Sequence, residues 1–131
     1  MNNKKLGNSF EQEFCEILFL HGFWVHNLAQ NQAGQPADVI AAKNGIPYLI
    51  DCKVCTNGTF NKNRIEENQR LSMQLWDDSG NNAGLFAVKF GENIYMAQIC
   101  VFDYTDKVNL PEKFFQEYAK PLDEWLEEEG R

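Results

Sequence analysis

Apolar residues recur at helical spacing in three parts of the chain. The first set shares one face of an amphipathic helix that Gly22 is placed to end: Leu6, Phe10, Phe14, Ile17 and Leu18. A second helix fits residues 64–76, ahead of a turn-rich run. The chain is predicted to be helical again from about Pro111, with Pro121 opening the last segment.

Between these helices, short apolar runs predict five strands, at residues 23–26, 37–42, 46–54, 85–90 and 94–100. Stretches rich in amides and glycine at residues 27–36 and 56–63 predict loops. The resulting order is α-β-β-β-α-β-β-α. It indicates an α/β (α+β) fold in which helices flank a mixed central sheet of about five strands.

The pair Asn44-Gly45 fixes how two of these strands face each other. Asn-Gly between apolar runs predicts a two-residue hairpin turn, because both residues tolerate positive φ. That register sets Asp38 directly opposite Asp51 and puts Lys53 on the same face. Two carboxylates at ~4 Å and an effective dielectric of ~20 repel by about 4 kcal/mol, so a proton or a cation between them is expected.

Two explanations of this cluster remain open at the level of the sequence. Oxygen ligands on a hard divalent ion are one, since Mg²⁺ takes one or two carboxylates and keeps several waters. A salt bridge between Lys53 and either carboxylate on a solvated face is the other.

Length and charge narrow the function only slightly. A chain of 131 residues with 44% apolar content suits one domain, spanning residues 1–131, with an acidic helical segment from about residue 111. The net charge of -7 by itself argues against a nucleic-acid partner. However, residues 1–75 carry seven basic and seven acidic side chains, whereas residues 76–131 carry five and twelve. The acidic excess therefore says little about a site in the first part.

The chain has no apolar run near the ~20 residues that span a bilayer, and its first residues are polar. We expect no membrane association and a cytoplasmic location.

The four cysteines offer a different chemistry. Cys52 and Cys55 form a C-x-x-C, but in a strand such residues face opposite ways, which favours buried free thiols. A zinc or thiol protein is the alternative, and its site would have to recruit Cys15, His21 or His26. Cys100 completes the set.

The full string around the hairpin resembles the PD-(D/E)xK nuclease signature. Pro36-Ala37-Asp38 is followed after twelve residues by Asp51-Cys52-Lys53. An earlier helix offers Gly7-x-x-x-Glu11, similar to the helical glutamate of these nucleases, and Gln69 matches the glutamine on their next helix. The resemblance implies a restriction-endonuclease-like fold.

Within that superfamily, residues 35–95 look most like the Holliday-junction resolvases of the RecU type and their phage and prophage relatives. The chain departs from them in three ways. It has no basic N-terminal arm beyond Lys4 and Lys5, its 56–63 loop is short for a projecting stalk, and Asn68-Gln69 replaces their usual His-Gln pair.

The resemblance implies Mg²⁺- or Mn²⁺-dependent hydrolysis of phosphodiester bonds in DNA, and branched DNA in particular. Asp38 and Asp51 would hold the ion, with Glu11 and the backbone carbonyl of Cys52 as further ligands. Lys53 would orient water or offset charge in the transition state, and Gln69 would position the phosphate or that water. Symmetric cutting of two strands implies a homodimer.

Candidate DNA contacts come from the electrically balanced first part: Lys4, Lys5, Lys43, Lys62, Arg64 and Arg70. Two rival functions stay open. One is a related repair or restriction-type nuclease acting on flaps or other DNA. The other is a non-catalytic protein-binding module on the same fold that uses its acidic surface.

Overall fold

The computed structural model describes residues 3–28 and 37–129. It contains four α-helices, which are α1 (Asn3–Leu20), α2 (Glu67–Asp78), α3 (Glu112–Tyr118) and α4 (Leu122–Glu129). The long strands are β1 (Trp24–Asn27), β2 (Val39–Lys43), β3 (Ile46–Cys55), β5 (Leu85–Phe90) and β6 (Asn93–Gln98). Three short strands complete the set, namely β4 (Thr59–Asn61), β7 (Asn109–Pro111) and β8 (Lys120–Pro121).

Six of the strands form one mixed sheet in the order β1-β2-β3-β5-β6-β8. Among the strands of the described residues, only β3 and β5 pair in parallel, because α2 carries the chain across between them. The fold class predicted from the sequence is therefore confirmed, and the observed sheet has one strand more than the five expected. Among the described residues, no helix is long and apolar enough to cross a membrane.

The β2–β3 hairpin has the predicted two-residue turn. Asn44 and Gly45 both adopt positive φ, 55° and 79°. The pairing then runs from Lys43 opposite Ile46 to Val39 opposite Ile50, so the turn sets the register. β2 begins one residue after Asp38.

The sheet has a hydrophobic core on each face. α1 and α4 cover one face, where Phe14 and Trp125 pack against Ile50. α2 and α3 cover the other, where Met73 and Phe115 belong to a cluster rich in aromatic side chains. We call these the α1 face and the α2 face. Cys52 belongs to the α1 face and Cys55 to the α2 face, which separates the two thiols as predicted.

Several boundaries differ from the prediction. Residues 62–64 form a 3₁₀ turn, so α2 begins at Glu67 rather than at residue 64. Part of the predicted 56–63 loop is the strand β4, which pairs with β7 far along the chain. β6 ends at Gln98, because residues 99–103 turn into a second 3₁₀ segment. Most of the loop predicted at 27–36 lies outside the described residues.

Candidate active site

The candidate site lies at the start of β2. Beyond this point β3 continues without a β2 partner, and we call the point where the two strands separate the fork. Residues 51–55 of β3 pair with β5 only. At this fork the Asp38 N–H donates to Ile50 O at 3.1 Å, and Asp38 Oδ2 accepts the Cys52 N–H at 2.9 Å. The Asp38 side chain therefore takes the place of a β2 backbone partner for the Cys52 N–H, where the β2–β3 pairing stops. This hydrogen bond holds the Asp38 carboxylate beside Asp51.

Asp51 is the most buried polar side chain of the site, with an exposed fraction of 0%. Its Oδ1 accepts a hydrogen bond from Gln69 Nε2 at 3.0 Å. Its Oδ2 lies 3.1 Å from Lys53 Nζ, close enough for an ion pair, but has no partner with hydrogen-bond geometry among the described residues. Lys53 is itself 15% exposed, so the pair is not the solvated salt bridge that the sequence left open.

Gln69 is oriented from its own helix. The Glu66 N–H donates to Gln69 Oε1 at 3.2 Å at the start of α2, which leaves Nε2 to face Asp51. Glu66 was not among the sequence candidates. Its signal was the spacing Glu66-x-x-Gln69, which is typical of a residue pair that caps a helix start.

Glu11 reaches the same site from α1 and is buried there. Burial, and next the nearby Asp38 carboxylate, raises its pKa to about 7. Burial and then Asp38 likewise raise the pKa of Asp51 to about 8, although Lys53 opposes the shift. Three acids face one lysine, so with all three ionised the site would carry more negative charge than Lys53 neutralises. Glu13, two residues further along α1, instead pairs with Lys89 at 3.0 Å and is half exposed.

These residues fit a divalent cation. Glu11 and Asp51 retain protons near neutral pH because of burial and the nearby Asp38, and a bound cation would replace those protons. Ile50 O and Cys52 N both point to the β2 side of β3, so strand alternation puts the Cys52 carbonyl on that edge too.

The candidate ligands are oxygen atoms, which suit a hard cation. Within the described ranges, no three His, Cys, Asp or Glu side chains are grouped to hold a metal by themselves. Two carboxylates, a main-chain carbonyl and waters are typical of Mg²⁺. The zinc alternative has no such support, since Cys52 and Cys55 lie on opposite faces and His21 Nδ1 lies 2.8 Å from Ile17 O.

Most of the predicted DNA contacts are already engaged within the fold. Lys62 Nζ donates to Phe102 O and to Thr105 O at 3.1 and 2.5 Å. Arg64 donates to Val54 O at 2.8 Å, on the β3 edge beside the site.

The remaining cations are placed as follows. Lys43 donates to His21 O and lies over the Phe23 ring, and Arg70 is 3.8 Å from Asp103. The side chains of Lys4 and Lys5 lie outside the described part of α1.

Together, the mixed sheet and the helices on its two faces define a restriction-endonuclease-like fold. A family model described as "Archaeal holliday junction resolvase (hjc)" matches residues 2–127. The chain belongs to the archaeal Holliday junction resolvase family and is a nuclease of that class.

A solved structure gives the same fold. Hjc of Archaeoglobus fulgidus, described as a Holliday junction resolvase from an archaeal hyperthermophile, superposes with a TM-score of 0.73. It is 15% identical, over 92% of this chain and 99% of that one. No curated protein matches the chain. The comparisons support the resolvase superfamily suggested by the sequence, and not its RecU-type subgroup.

Proposed function

We propose that the chain is a PD-(D/E)xK-type endonuclease that hydrolyses phosphodiester bonds in branched DNA with the help of Mg²⁺ or Mn²⁺. Residues 1–131 would act as one nuclease domain, and two copies would act together. The observation that carries this proposal is the fully buried Asp51 carboxylate, which lies with two further acids, Asp38 and Glu11, beside Lys53.

Asp38 and Asp51 would hold the ion, with the Cys52 carbonyl on the same edge. The ion would polarise the phosphate and lower the pKa of a bound water. Glu11 lies close enough to Asp38 and Lys53 to interact with both, and it would serve as a further ligand directly or through water.

Lys53 is the cation paired with Asp51, beside the position where the phosphate would bind. Its ammonium lies 3.1 Å from Asp51 Oδ2 and would orient the attacking water or offset the charge that develops on the phosphate. Gln69 holds Asp51 Oδ1 in place, so its main contribution would be to keep the carboxylate turned toward the ion.

A four-way junction has two strands to cut at symmetric positions, and a two-fold homodimer would supply one site to each. The acidic surplus lies in the last part of the chain, so the affinity for DNA is expected to be moderate and sensitive to salt.

The test is cleavage of labelled four-way junction, flap, duplex and single-stranded DNA with Mg²⁺, Mn²⁺ or EDTA. Asp51→Asn is compared with Asp103→Asn, whose carboxylate is 73% exposed and lies near Arg70 rather than near a candidate metal ligand. We expect metal-dependent cutting of the junction that Asp51→Asn abolishes and Asp103→Asn retains. Cutting in EDTA, or by Asp51→Asn, would remove the proposed site. Preference for flaps would favour the repair-type nuclease, and no cutting of any DNA would favour the binding module.

A further inference from the structure

Two aromatic side chains of β1 lie on the same sheet face as the candidate site. Trp24 is opposite Ala42 and His26 is opposite Ile40, and directly opposed residues share a face. Ile40 packs against the core of the α2 face, whereas its neighbour Ala41 belongs to the α1 face. Trp24 and His26 therefore project on the α2 face, together with Asp51.

The two rings stack against each other, and both side chains are exposed to solvent. Their centroids are 6.2 Å apart and their planes differ by 19°. Trp24 is 62% exposed, while Trp125 is buried and Trp76 is half-buried. A large aromatic side chain is usually buried, as that of Trp125 is and that of Trp76 partly is. The exposure of Trp24 is therefore consistent with a contact to a binding partner.

The two rings lie on the chain segment that runs toward the fork. The Leu28 N–H donates to Asp38 O at 2.8 Å, so the strand that carries the rings continues to the site. Side chains on one face of a strand are about 6.6 Å apart, which puts His26 about 7 Å and Trp24 about 13 Å from the Leu28 position. A stacked DNA strand rises about 3.4 Å per nucleotide. The rings are then about two and about four nucleotides from a phosphate at Asp38.

We propose that Trp24 and His26 form a stacking platform for unpaired bases of the strand that is being cut. This deepens the proposed function and rests on it. An aromatic face stacks on any base, so the platform would favour DNA whose bases are unstacked near a branch over continuous duplex, without reading sequence.

A DNA base fits this surface better than a second copy of the chain. The residues opposite the rings, Ala42 and Ile40, are small or aliphatic and carry no charge, which suits a base and not a phosphate. The rings also lie on the same sheet face as the site that would hold the scissile phosphate, whereas a partner protein seated on them would block that approach.

The experiment combines protein variants with missing bases. Four-way junctions carry a single abasic nucleotide at each of the positions around the cut, and their affinity is measured for the Asp51→Asn chain, which keeps the DNA intact. Trp24→Ala, Trp24→Phe and His26→Ala are added to that chain. Phe19→Ala is the matched control, since Phe19 is 71% exposed but lies on α1.

We expect Trp24→Ala to weaken binding of the intact junction by about 5- to 100-fold, and Trp24→Phe and Phe19→Ala to change it little. At one or two positions of the abasic series, the chains with and without Trp24 should bind equally. Fluorescence of 2-aminopurine placed there should be quenched by the chain with Trp24 and not by Trp24→Ala.

Equal loss at all abasic positions, or no loss at all, would overturn the platform. A fall in sedimentation mass for Trp24→Ala would overturn it in favour of a contact between copies. If the unmodified chain cuts junctions and Trp24→Ala binds them normally, only the platform fails. If the unmodified chain neither binds nor cuts junctions, the proposed function fails with it.

Discussion

Removing the charge of Asp51 is expected to stabilise the metal-free fold even as it abolishes cleavage. Burial, followed by the nearby Asp38, raises the pKa of Asp51 from 3.8 to about 8. Between those two values the folded chain binds more protons than the unfolded chain. The stability of the metal-free protein should therefore fall as the pH rises through this window.

The size of the effect follows from the shifted pKa. A tenfold difference in proton affinity is worth about 1.4 kcal/mol, so ionising Asp51 costs the fold on the order of 4 kcal/mol between about pH 4 and about pH 7. Asp51→Asn has no such charge to bury and can still accept the Gln69 hydrogen bond. Glu11, with a raised pKa of about 7, acts in the same direction but is present in both proteins.

The assay is urea unfolding in EDTA at several pH values between about 5 and about 8, with Asp103→Asn as the control. We expect the stability advantage of Asp51→Asn to grow with pH and to be on the order of 2–4 kcal/mol at neutral pH. Added Mg²⁺ should flatten the pH dependence of the unmodified chain, because the cation replaces the protons. An Asp51→Asn chain that is less stable at every pH, or whose advantage does not grow, would refute the buried-charge explanation.

Three further outcomes follow from the site and its support. Lys53→Met should lower the cleavage rate by about 100-fold or more while leaving junction affinity within about threefold, as gel-shift and single-turnover assays would show, and Lys53→Arg should not restore the rate. Gln69→Glu should reduce cleavage and raise the pH dependence of stability in EDTA, because it adds a carboxylate beside Asp51; Gln74→Glu, on an exposed position of α2, is the control. Gly84→Ala should cost about 1–3 kcal/mol in urea unfolding, since its Cβ would come within 2.5–2.9 Å of the buried Met73 side chain.

The part of the site built by the hairpin could be predicted from the sequence, because the turn Asn44-Gly45 sets the β2–β3 register by local chemistry. Once Asp38 faces Asp51, strand alternation brings Lys53 to the same face. The helices that complete the site came from family resemblance instead. Nothing local in the sequence says that α1 delivers Glu11, or that α2 turns Gln69 toward β3.

Elements held by distant contacts could not be predicted in this way. β4 pairs with β7, fifty residues along the chain, and Phe60 is fully buried there against Phe102 and Phe115. The polar composition of residues 56–63 predicts a loop. Packing of Phe60 in the aromatic cluster instead holds part of this stretch as a strand. The internal hydrogen bonds of Lys62 could not be predicted for the same reason, because its two carbonyl partners lie about forty residues away.

The Asn44-Gly45 turn lies six residues from Asp38, at the far end of the hairpin, about 20 Å away along the strand. Exposed turns are usually where a chain tolerates inserted or deleted residues best. Here one added residue would slip the pairing by one position and send either Asp38 or Asp51 to the α1 face. The hairpin thus works as a spacer of fixed length. A change in the length of this exposed turn would abolish activity as completely as the loss of one of the two carboxylates.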